Sequence, residues 1–377
     1  MSVFVPIALV IAVLAMLIGP QIEGYGGNLT GFITFGSLFS PAIHPPSGAI
    51  VGSIAGYDGQ FFYLQALDPL LLHGSTVTAM KATASAYRLQ RMAYPLLAYV
   101  LAGGRASAIP ASMLAVNLIV LLAFSTGIAI YLAGRGWSTL WAVPLTLMPG
   151  MLLPAMRDLS DPLATATLVA GMLSIRHERR WWAAAGLTVS VLTREVMVAP
   201  ILGAAAWFAL QAWQRRAHGG WRHVLIRAWP PIVLPLVAFA GWQAYVTYRI
   251  GGLPGGPLTT FPFWNFVQEI RGSVRELPPL EAAWDTVYVL LMFAVVFVAA
   301  VRAARRRSLL ALAAAALSIP IVVAALGDPW GDARLTAPVF ALLLLDGLEH
   351  RDRVAVGVSC AAAAMMIPAL FVIPGVV

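Results

Sequence analysis

Apolar stretches long enough to cross a lipid bilayer recur along almost the whole of this chain. A transmembrane helix needs roughly 20 mainly apolar residues, and stretches such as 3–20, 108–134 and 229–249 come close to or exceed that length. Hydrophobic residues make up 60% of the 377 residues, and the mean hydropathy of +0.82 lies outside the range of soluble globular domains. Because strand-type alternation is absent and backbone groups in lipid must bond internally, helices are expected. The sequence therefore predicts an all-α, polytopic transmembrane helix bundle that forms a single integral membrane domain over 1–377.

The boundaries of the apolar stretches predict about eleven spans. They lie near 3–20, 108–134, 138–154, 162–175, 181–193, 196–213, 229–249, 286–303, 308–326, 335–348 and 354–375. The segment 92–104 is too short to cross and lies between Arg91 and Arg105, so it predicts a half-inserted or interfacial helix. Two long connecting segments remain, 21–107 and 250–285.

The basic residues follow a pattern that predicts which loops face the cytoplasm. Every second loop carries a basic cluster, as in 176–180, 214–227 and 302–307. These loops together hold 14 of the 24 Lys and Arg residues but only 4 of the 16 Asp and Glu residues. Cytoplasmic loops of membrane proteins are enriched in Lys and Arg. The pattern therefore predicts a multi-pass protein of the plasma or inner membrane with both long segments outside, and the clustering of charge gives no indication of nucleic-acid binding.

Asp58 stands out in the first long segment, within "GYDGQFFY". Gly56 and Gly59 allow close backbone approach, and the aromatic residues around the acid favour a position at the membrane interface. A carboxylate in this setting can act as a general base toward a hydroxyl group. The alternative is a helix N-cap, because Asp is favoured there and residues 60–67 have a helical pattern. The two interpretations are compatible, and both remain open.

The segment "MRDLSDP" places two further carboxylates on the outer side. Asp158 and Asp161 are three residues apart, a spacing that would put both on one face of a helical turn. Pro162 suits the first turn of the following span with Asp161 as its N-cap, so Asp158 is the better ligand candidate. Two carboxylates could also form a divalent metal site, but Asp-x-x-Asp is a weak signal, so no cofactor is predicted and a divalent metal stays open.

Arginines at the outer helix ends form the cationic candidates. Arg194 and Glu195 lie between two apolar stretches, and Arg334 opens the tenth span after "DPWGDA". Arg88 and Arg91 are three residues apart in a helical-looking segment. A guanidinium suits a phosphate or a carboxylate, so these arginines bind either a phosphate-bearing lipid or a carboxylate of the same chain. Charges set against apolar spans are costly, which favours a functional site.

The motif "YDGQFFYLQALDP", followed by "YRLQRMAYPLLAYVL" and "NLIVLLAFSTGIAIYLAGR", resembles the GT-C superfamily of membrane glycosyltransferases. It is most similar to bacterial relatives of the PIG-V-like mannosyltransferases. Tyr57, Asp58 and Tyr63 match one family motif, and 93–96 match part of another. The resemblance covers about the first 200 residues, with "LSDP", "TRE" and Arg334 as looser matches.

The resemblance implies an extracytoplasmic active site, a polyprenyl-phosphate-linked sugar donor and Asp58 as catalytic base. The hydroxyl acceptor would be a glycolipid, a glycan or a protein, and transfer would proceed with inversion. Arg194, Arg334, Arg91 and Arg88 are then the candidates for the donor phosphate. Stretches such as "FFYLQALDPLLL" would be amphipathic helices at the interface that frame the cleft. The remaining substrate-contact candidates are Tyr57, Gln60, Tyr63, Asp158, Glu195 and Trp330.

Two other functional classes fit part of the sequence. A transporter or lipid flippase is expected to carry ionisable residues at mid-bilayer and interrupted helices in two related halves. Here the charges lie at helix ends, although prolines such as Pro149 and Pro231 do interrupt spans. A non-catalytic assembly or receptor subunit would leave the outer charges without a role.

Overall fold

A computed structural model describes residues 2–52, 55–254, 271, 279–323 and 329–365. Helices dominate these residues. In chain order they are α1 (Phe4–Gly24), α2 (Ser40–Ile43), α3 (Gly59–Leu67), α4 (Gly74–Ala82), α5 (Ala93–Leu101), α6 (Ile109–Gly134), α7 (Ala142–Thr146), α8 (Pro149–Ala155), α9 (Asp161–Arg176), α10 (Arg180–Thr193), α11 (Val198–Gln214), α12 (Trp221–Ile250), α13 (Pro279–Arg306), α14 (Leu309–Val323), α15 (Pro329–Glu349) and α16 (Arg353–Met365). Most of the predicted second loop, 250–285, lies outside the described residues.

Four of the helical segments in the described part of the chain are long and apolar enough to cross a membrane. They are Phe4–Gly24, Ala106–Gly134, Glu195–Gln214 and Trp221–Ile250. These segments overlap four of the predicted spans and indicate a membrane protein. Leu309–Ile321 and Arg353–Met365 are apolar but shorter. The total of about eleven spans remains a prediction.

The predicted span 138–154 is interrupted at Pro149, as the sequence indicated. A short 3₁₀ turn, Thr139–Trp141, is followed by α7 and then by α8, which begins at Pro149. Proline disfavours helical backbone in the residue before it, and Met148 accordingly has an extended ψ of 143°. The helix therefore stops and restarts at this point.

The long helices pack around a core of Leu, Ala, Val and Met side chains. Helix α9 contacts α6, α8, α10 and α15, and α10 also packs against α12. Helix α11 packs between α12 and α14, while α13 contacts α14 and α16. The faces of α9 and α15 are almost wholly buried, so these two helices lie inside the bundle.

The segment between α1 and α6 folds into short helices over one end of the bundle. In its first part, Phe35–Gly36 pairs in parallel with Val51–Gly52. Helices α3 and α5 pack on each other and on α6, around Phe62 and Tyr94, whose rings meet edge to face. This segment between α1 and α6, which we call the cap segment, contributes a second hydrophobic cluster that reaches Trp242 of α12.

The expectation that α3 is an amphipathic helix lying at the interface is wrong. Every residue from Gly59 to Ala66 is buried, so α3 presents no face to lipid or water. Helix α5 differs, because Leu97, Val100 and Leu101 are exposed while Tyr94 and Ala98 are buried. Its nine residues span about 14 Å, which is too short to cross a bilayer.

Candidate functional site

Seven charged side chains meet where the cap segment joins the bundle, and we call them the Asp58 cluster. They are Asp58, Arg88, Arg91, Asp161, Arg194, Glu195 and Arg334. Each is at most 18% exposed. The members come from distant parts of the sequence, and each ion pair joins two different elements. The cluster thus connects the segment between α1 and α6 with the starts of α9 and α15 and with the junction of α10 and α11.

Asp58 lies at the N-terminus of α3, but its carboxylate does not cap that helix. Instead Arg88 donates to Oδ1 from Nε at 3.0 Å and from Nη2 at 2.5 Å. The Arg88 guanidinium lies 4.5 Å from the ring centres of both Phe61 and Tyr87. These two cation–π contacts help to hold the guanidinium against the carboxylate. Phe61, one of the aromatic residues noted around Asp58, therefore contacts Arg88, the ion-pair partner of Asp58.

The charge state of Asp58 follows from two opposing effects. Burial favours the neutral acid and raises the pKa, whereas the charges of Arg88, Arg334 and Arg91 favour the carboxylate. The arginines prevail, and the pKa of Asp58 falls to about 2. Asp58 is consequently an anion that can accept a proton at neutral pH, but it is a weak base while its arginine partners remain in place.

Arg334 connects two carboxylates and a phenol. Its Nε donates to Asp161 Oδ2 at 3.1 Å, its Nη1 donates to the Tyr57 hydroxyl at 3.1 Å, and its Nη2 lies 3.6 Å from Asp58 Oδ2. Arg194 forms an ion pair with the other oxygen of Asp161. Asp161 is the first residue of α9, and the N-cap is Ser160. The predicted cap role of Asp161 is corrected to that of a buried acid between two arginines.

Arg91 and Glu195 form a bidentate pair on the other side of the cluster. Arg91 Nε donates to Glu195 Oε2 at 2.9 Å and Nη2 to Oε1 at 2.7 Å. Of the two alternatives for Arg194, a carboxylate of the same chain is the one observed; it is Asp161 and not the adjacent Glu195, which binds Arg91. The four arginines face three carboxylates, so the cluster carries one excess positive charge.

Asp158 lies apart from these ion pairs. It precedes α9 in a left-handed conformation, with φ of 50°, so it does not share a helical face with Asp161 as predicted. Its side chain is fully buried, and neither oxygen has a hydrogen-bond partner among the described residues. Burial raises the pKa of Asp158 well above its usual range. Burial therefore disfavours the charged form of Asp158 in this structure, and the expectation that Asp158 is the better ligand candidate stays a prediction.

Two of the predicted substrate contacts have structural roles instead. The Gln60 side chain is buried, accepts a hydrogen bond from the Gly36 amide at 3.1 Å and donates to the Ala55 carbonyl at 2.9 Å. Tyr63 is buried, and its ring meets that of Phe35 edge to face at 5.3 Å. Both lie within Gly59–Ala66 of α3, where every residue is buried, so neither presents a free surface to a substrate. The side chain of Trp330 lies outside the part of the chain that the structure describes.

Arg157 is a neighbour that the sequence reasoning did not select. It donates to the Thr34 hydroxyl at 3.1 Å and has no carboxylate partner among the described residues. Tyr57, the phenol bound by Arg334, lies close enough to act on its charge. Its position beside Asp158 in "MRDLSDP" was the available signal. Arg157 therefore adds a further positive charge at the border of the Asp58 cluster.

The described residues hold one group of side chains with metal-like spacing, and it lies at the other end of the bundle. The ligand atoms of Asp346, Glu349 and His350 lie within 4.8 Å of one another. However, Arg302 and Ser308 bind the oxygens of Asp346, and Arg176 and Tyr131 bind those of Glu349. These contacts make the group an ion-pair network, which we call the Asp346 network.

Comparison of the chain with protein-family models, with curated proteins and with solved structures finds no match.

Proposed function

We propose that the protein is an inverting glycosyltransferase that moves a sugar from a polyprenyl-phosphate donor to a hydroxyl acceptor on the extracytoplasmic face. The observation that carries this proposal is the Asp58 cluster, in which four largely buried arginines pair with three carboxylates and exceed them by one charge. A polyprenyl-phosphate sugar is a phosphodiester with one negative charge. Its binding would neutralise the cluster.

The proposed reaction is a single displacement. The acceptor oxygen attacks the anomeric carbon, the bond from that carbon to the phosphate oxygen breaks, and polyprenyl phosphate leaves with the electron pair. The acceptor proton passes to Asp58. Arginines that bind the phosphate stabilise the negative charge that develops on the leaving group, so the step needs no metal.

The weak basicity of Asp58 gives the donor phosphate a second role. Arg88 and Arg334 contact Asp58 in this structure, and a phosphate is a strong alternative partner for a guanidinium. When either arginine turns toward the phosphate, Asp58 loses part of the positive field that lowers its pKa. Asp58 thus becomes a stronger base when the donor is bound. The acceptor hydroxyl is then deprotonated beside an occupied donor site.

The test is sugar release by the purified full-length protein in lipid vesicles, with polyprenyl-phosphate mannose and polyprenyl-phosphate glucose as probes. We expect Asp58→Asn to stay folded and to lose roughly 100-fold or more of the activity, the scale of a general base. Asp158→Asn is the matched control, because it removes an acidic group that lies apart from the ion pairs and has no hydrogen-bond partner among the described residues. Thermal melting of both variants checks folding.

Release from neither donor by the wild-type protein would contradict the proposal. Near-normal release by a folded Asp58→Asn variant would remove Asp58 from the role of base. Loss of activity in Asp158→Asn alone would transfer that role to Asp158.

A further inference from the structure

A cavity of about 610 Å³ opens at the end of the bundle opposite the Asp58 cluster. Asp161 begins α9 near the cluster, whereas Ile175 and Arg176, at the other end of α9, line the cavity. A helix of 16 residues is about 24 Å long, so the two sites lie on different sides of the bundle. We call this cavity the Arg215 pocket. Its charged lining consists of Arg176, Arg180, Arg215, Arg227 and Glu178.

The charges in the Arg215 pocket are only partly balanced. Arg227 pairs with Glu178 at 2.5 Å, and Arg176 pairs with Glu349 of the Asp346 network. Arg180 donates to a backbone carbonyl at 3.4 Å, and neither Arg180 nor Arg215 has a carboxylate partner among the described residues. Two guanidinium groups are therefore available to an anion. Paired guanidinium groups favour phosphate or carboxylate oxygens.

The inner wall of the pocket is apolar. Trp207, Phe208, Val224 and Pro231 line it together with Leu309. Such a wall offers nothing to a free inorganic anion, whereas an acyl chain gains free energy by covering it. The combination of a cationic mouth and an apolar wall fits an amphipathic anion.

Exposed tryptophans lie around the opening of the pocket and indicate its depth relative to a membrane surface. Trp181, Trp182 and Trp213 are 55%, 71% and 56% exposed, and all three lie at the ends of α10 and α11 that border the pocket. Trp221 and Trp229 of α12 are also exposed. Tryptophan is enriched at the boundary between membrane and water. The mouth of the pocket accordingly lies at the depth of lipid headgroups.

We infer that the Arg215 pocket binds the headgroup of an anionic phospholipid, with the phosphodiester against Arg180 and Arg215 and an acyl chain along the apolar wall. Basic pockets between helices at a membrane surface are suited to such headgroups. The inference goes beyond the proposed function, because it uses no residue of the Asp58 cluster. The bound lipid would link the start of α10 to the end of α11.

The experiment compares two double variants of the full-length protein in detergent. Arg180→Gln with Arg215→Gln removes the two available guanidinium groups of the pocket. Arg216→Gln with Arg222→Gln removes the same amount of charge from the same end, where these arginines stack on Trp213 and Trp221. The probes are phosphatidylglycerol, phosphatidylcholine and inorganic phosphate. The readouts are the melting temperature and bound lipid measured by native mass spectrometry.

We expect phosphatidylglycerol, but not phosphatidylcholine or inorganic phosphate, to raise the melting temperature of the wild-type protein and of the control variant. The pocket variant should bind phosphatidylglycerol about tenfold or more weakly, as expected for lost hydrogen bonds to a charged group. Equal loss in both variants, equal stabilisation by inorganic phosphate, or no preference for phosphatidylglycerol would overturn the inference. Two further measurements distinguish this inference from the proposed function. Sugar release should persist in the pocket variant. Conversely, phosphatidylglycerol should still raise the melting temperature of Asp58→Asn.

Discussion

At the scale of single residues, the central feature is a carboxylate held by arginines in a largely buried place. Burial alone would push Asp58 toward the neutral acid, and the surrounding arginines reverse that tendency. The position of Arg88 depends in turn on Phe61 and Tyr87, which flank its guanidinium. Ionisation of Asp58 is therefore a property of the whole group.

The pH dependence of activity tests this account. The pKa of Asp58 is lowered from 3.8 to about 2, so the ion pair contributes stability above pH 3.8, and that contribution is lost as the pH falls through about 2. Removal of Arg88 leaves the burial in place, so the pKa must rise. We expect Arg88→Gln to move the acid limb of the sugar-release profile upward by roughly one pH unit or more. Arg105→Gln, an exposed arginine of the same segment, should leave the profile unchanged. An unshifted acid limb in Arg88→Gln would contradict this account.

Substitution of Arg334 by lysine tests whether the geometry of the cluster, and not only its charge, matters for donor binding. Three nitrogens of Arg334 face three different partners, Asp161, Tyr57 and Asp58, and lysine keeps the charge but offers a single nitrogen. We expect Arg334→Lys, and likewise Arg194→Lys, to raise the KM for the donor roughly tenfold, about the worth of one charge-assisted hydrogen bond. Steady-state kinetics with a polyprenyl-phosphate sugar measures this. Full activity in both folded lysine variants would mean that neither arginine binds the donor phosphate.

At the scale of elements, α3 is fixed by a glycine at its first position. A Cβ on Gly59 would lie 2.6 Å from the carbonyl oxygen of Arg157 and 2.7 Å from that of Ile33. Both neighbours are backbone, which cannot move aside cheaply. This contact holds the N-terminus of α3, and with it Asp58, against the segment that leads into α9.

Substitution of that glycine should therefore be costly. We expect Gly59→Ala to lower the free energy of unfolding by about 1–3 kcal/mol, the usual cost of overpacking, and to reduce sugar release by displacing Asp58. Gly74→Ala is the matched control, because Gly74 is also the first residue of a nine-residue helix but would have no atom within 4 Å of its Cβ. The control should be neutral or slightly stabilising. Melting curves of the two variants decide the matter, and equal stability would show that the tight contact is unimportant.

The elements also show what the sequence allowed us to predict. Hydropathy and helix length identified the helices that contain the predicted spans 3–20, 108–134, 196–213 and 229–249, because an apolar helix depends mainly on local composition. The same sequence features did not reveal that Gly59–Ala66 of α3 is buried, because the burial of α3 depends on its contacts with α5 and α6. Nor did they identify the partners of the arginines. Asp161 and Arg334 are 173 residues apart, and only the packing of α9 on α15 brings them together.

At the scale of the whole molecule, α9 and α15 are tied together at both ends. Asp161 pairs with Arg334 near the start of each helix, and Arg176 pairs with Glu349 near the end of each. Fifteen residues separate the two links along either helix, which corresponds to about 22 Å. The helices are therefore parallel, and buried charge is confined to their two ends. This arrangement fits a bundle whose ends lie near opposite surfaces of a membrane with an apolar core about 30 Å thick.

Cysteine labelling tests that orientation. The chain has one cysteine, Cys360, so Cys360→Ser provides a background without cysteine. Ser75→Cys and Leu253→Cys place a thiol at exposed positions in the two predicted outer segments, and Arg216→Cys places one beside the Arg215 pocket. Because basic loops remain on the cytoplasmic side, we expect a membrane-impermeant maleimide to label the first two variants in intact cells and the third only after permeabilisation.

Each variant serves as a control for the others, because all three thiols are exposed and should react equally once the membrane is opened. Labelling of Ser75→Cys and Leu253→Cys on different sides would mean that the number of spans between them is odd rather than even. Labelling of Arg216→Cys in intact cells, with Ser75→Cys protected, would reverse the orientation. The Asp58 cluster would then face the cytoplasm, and an extracytoplasmic donor site would be excluded while the ion pairs themselves remained as described.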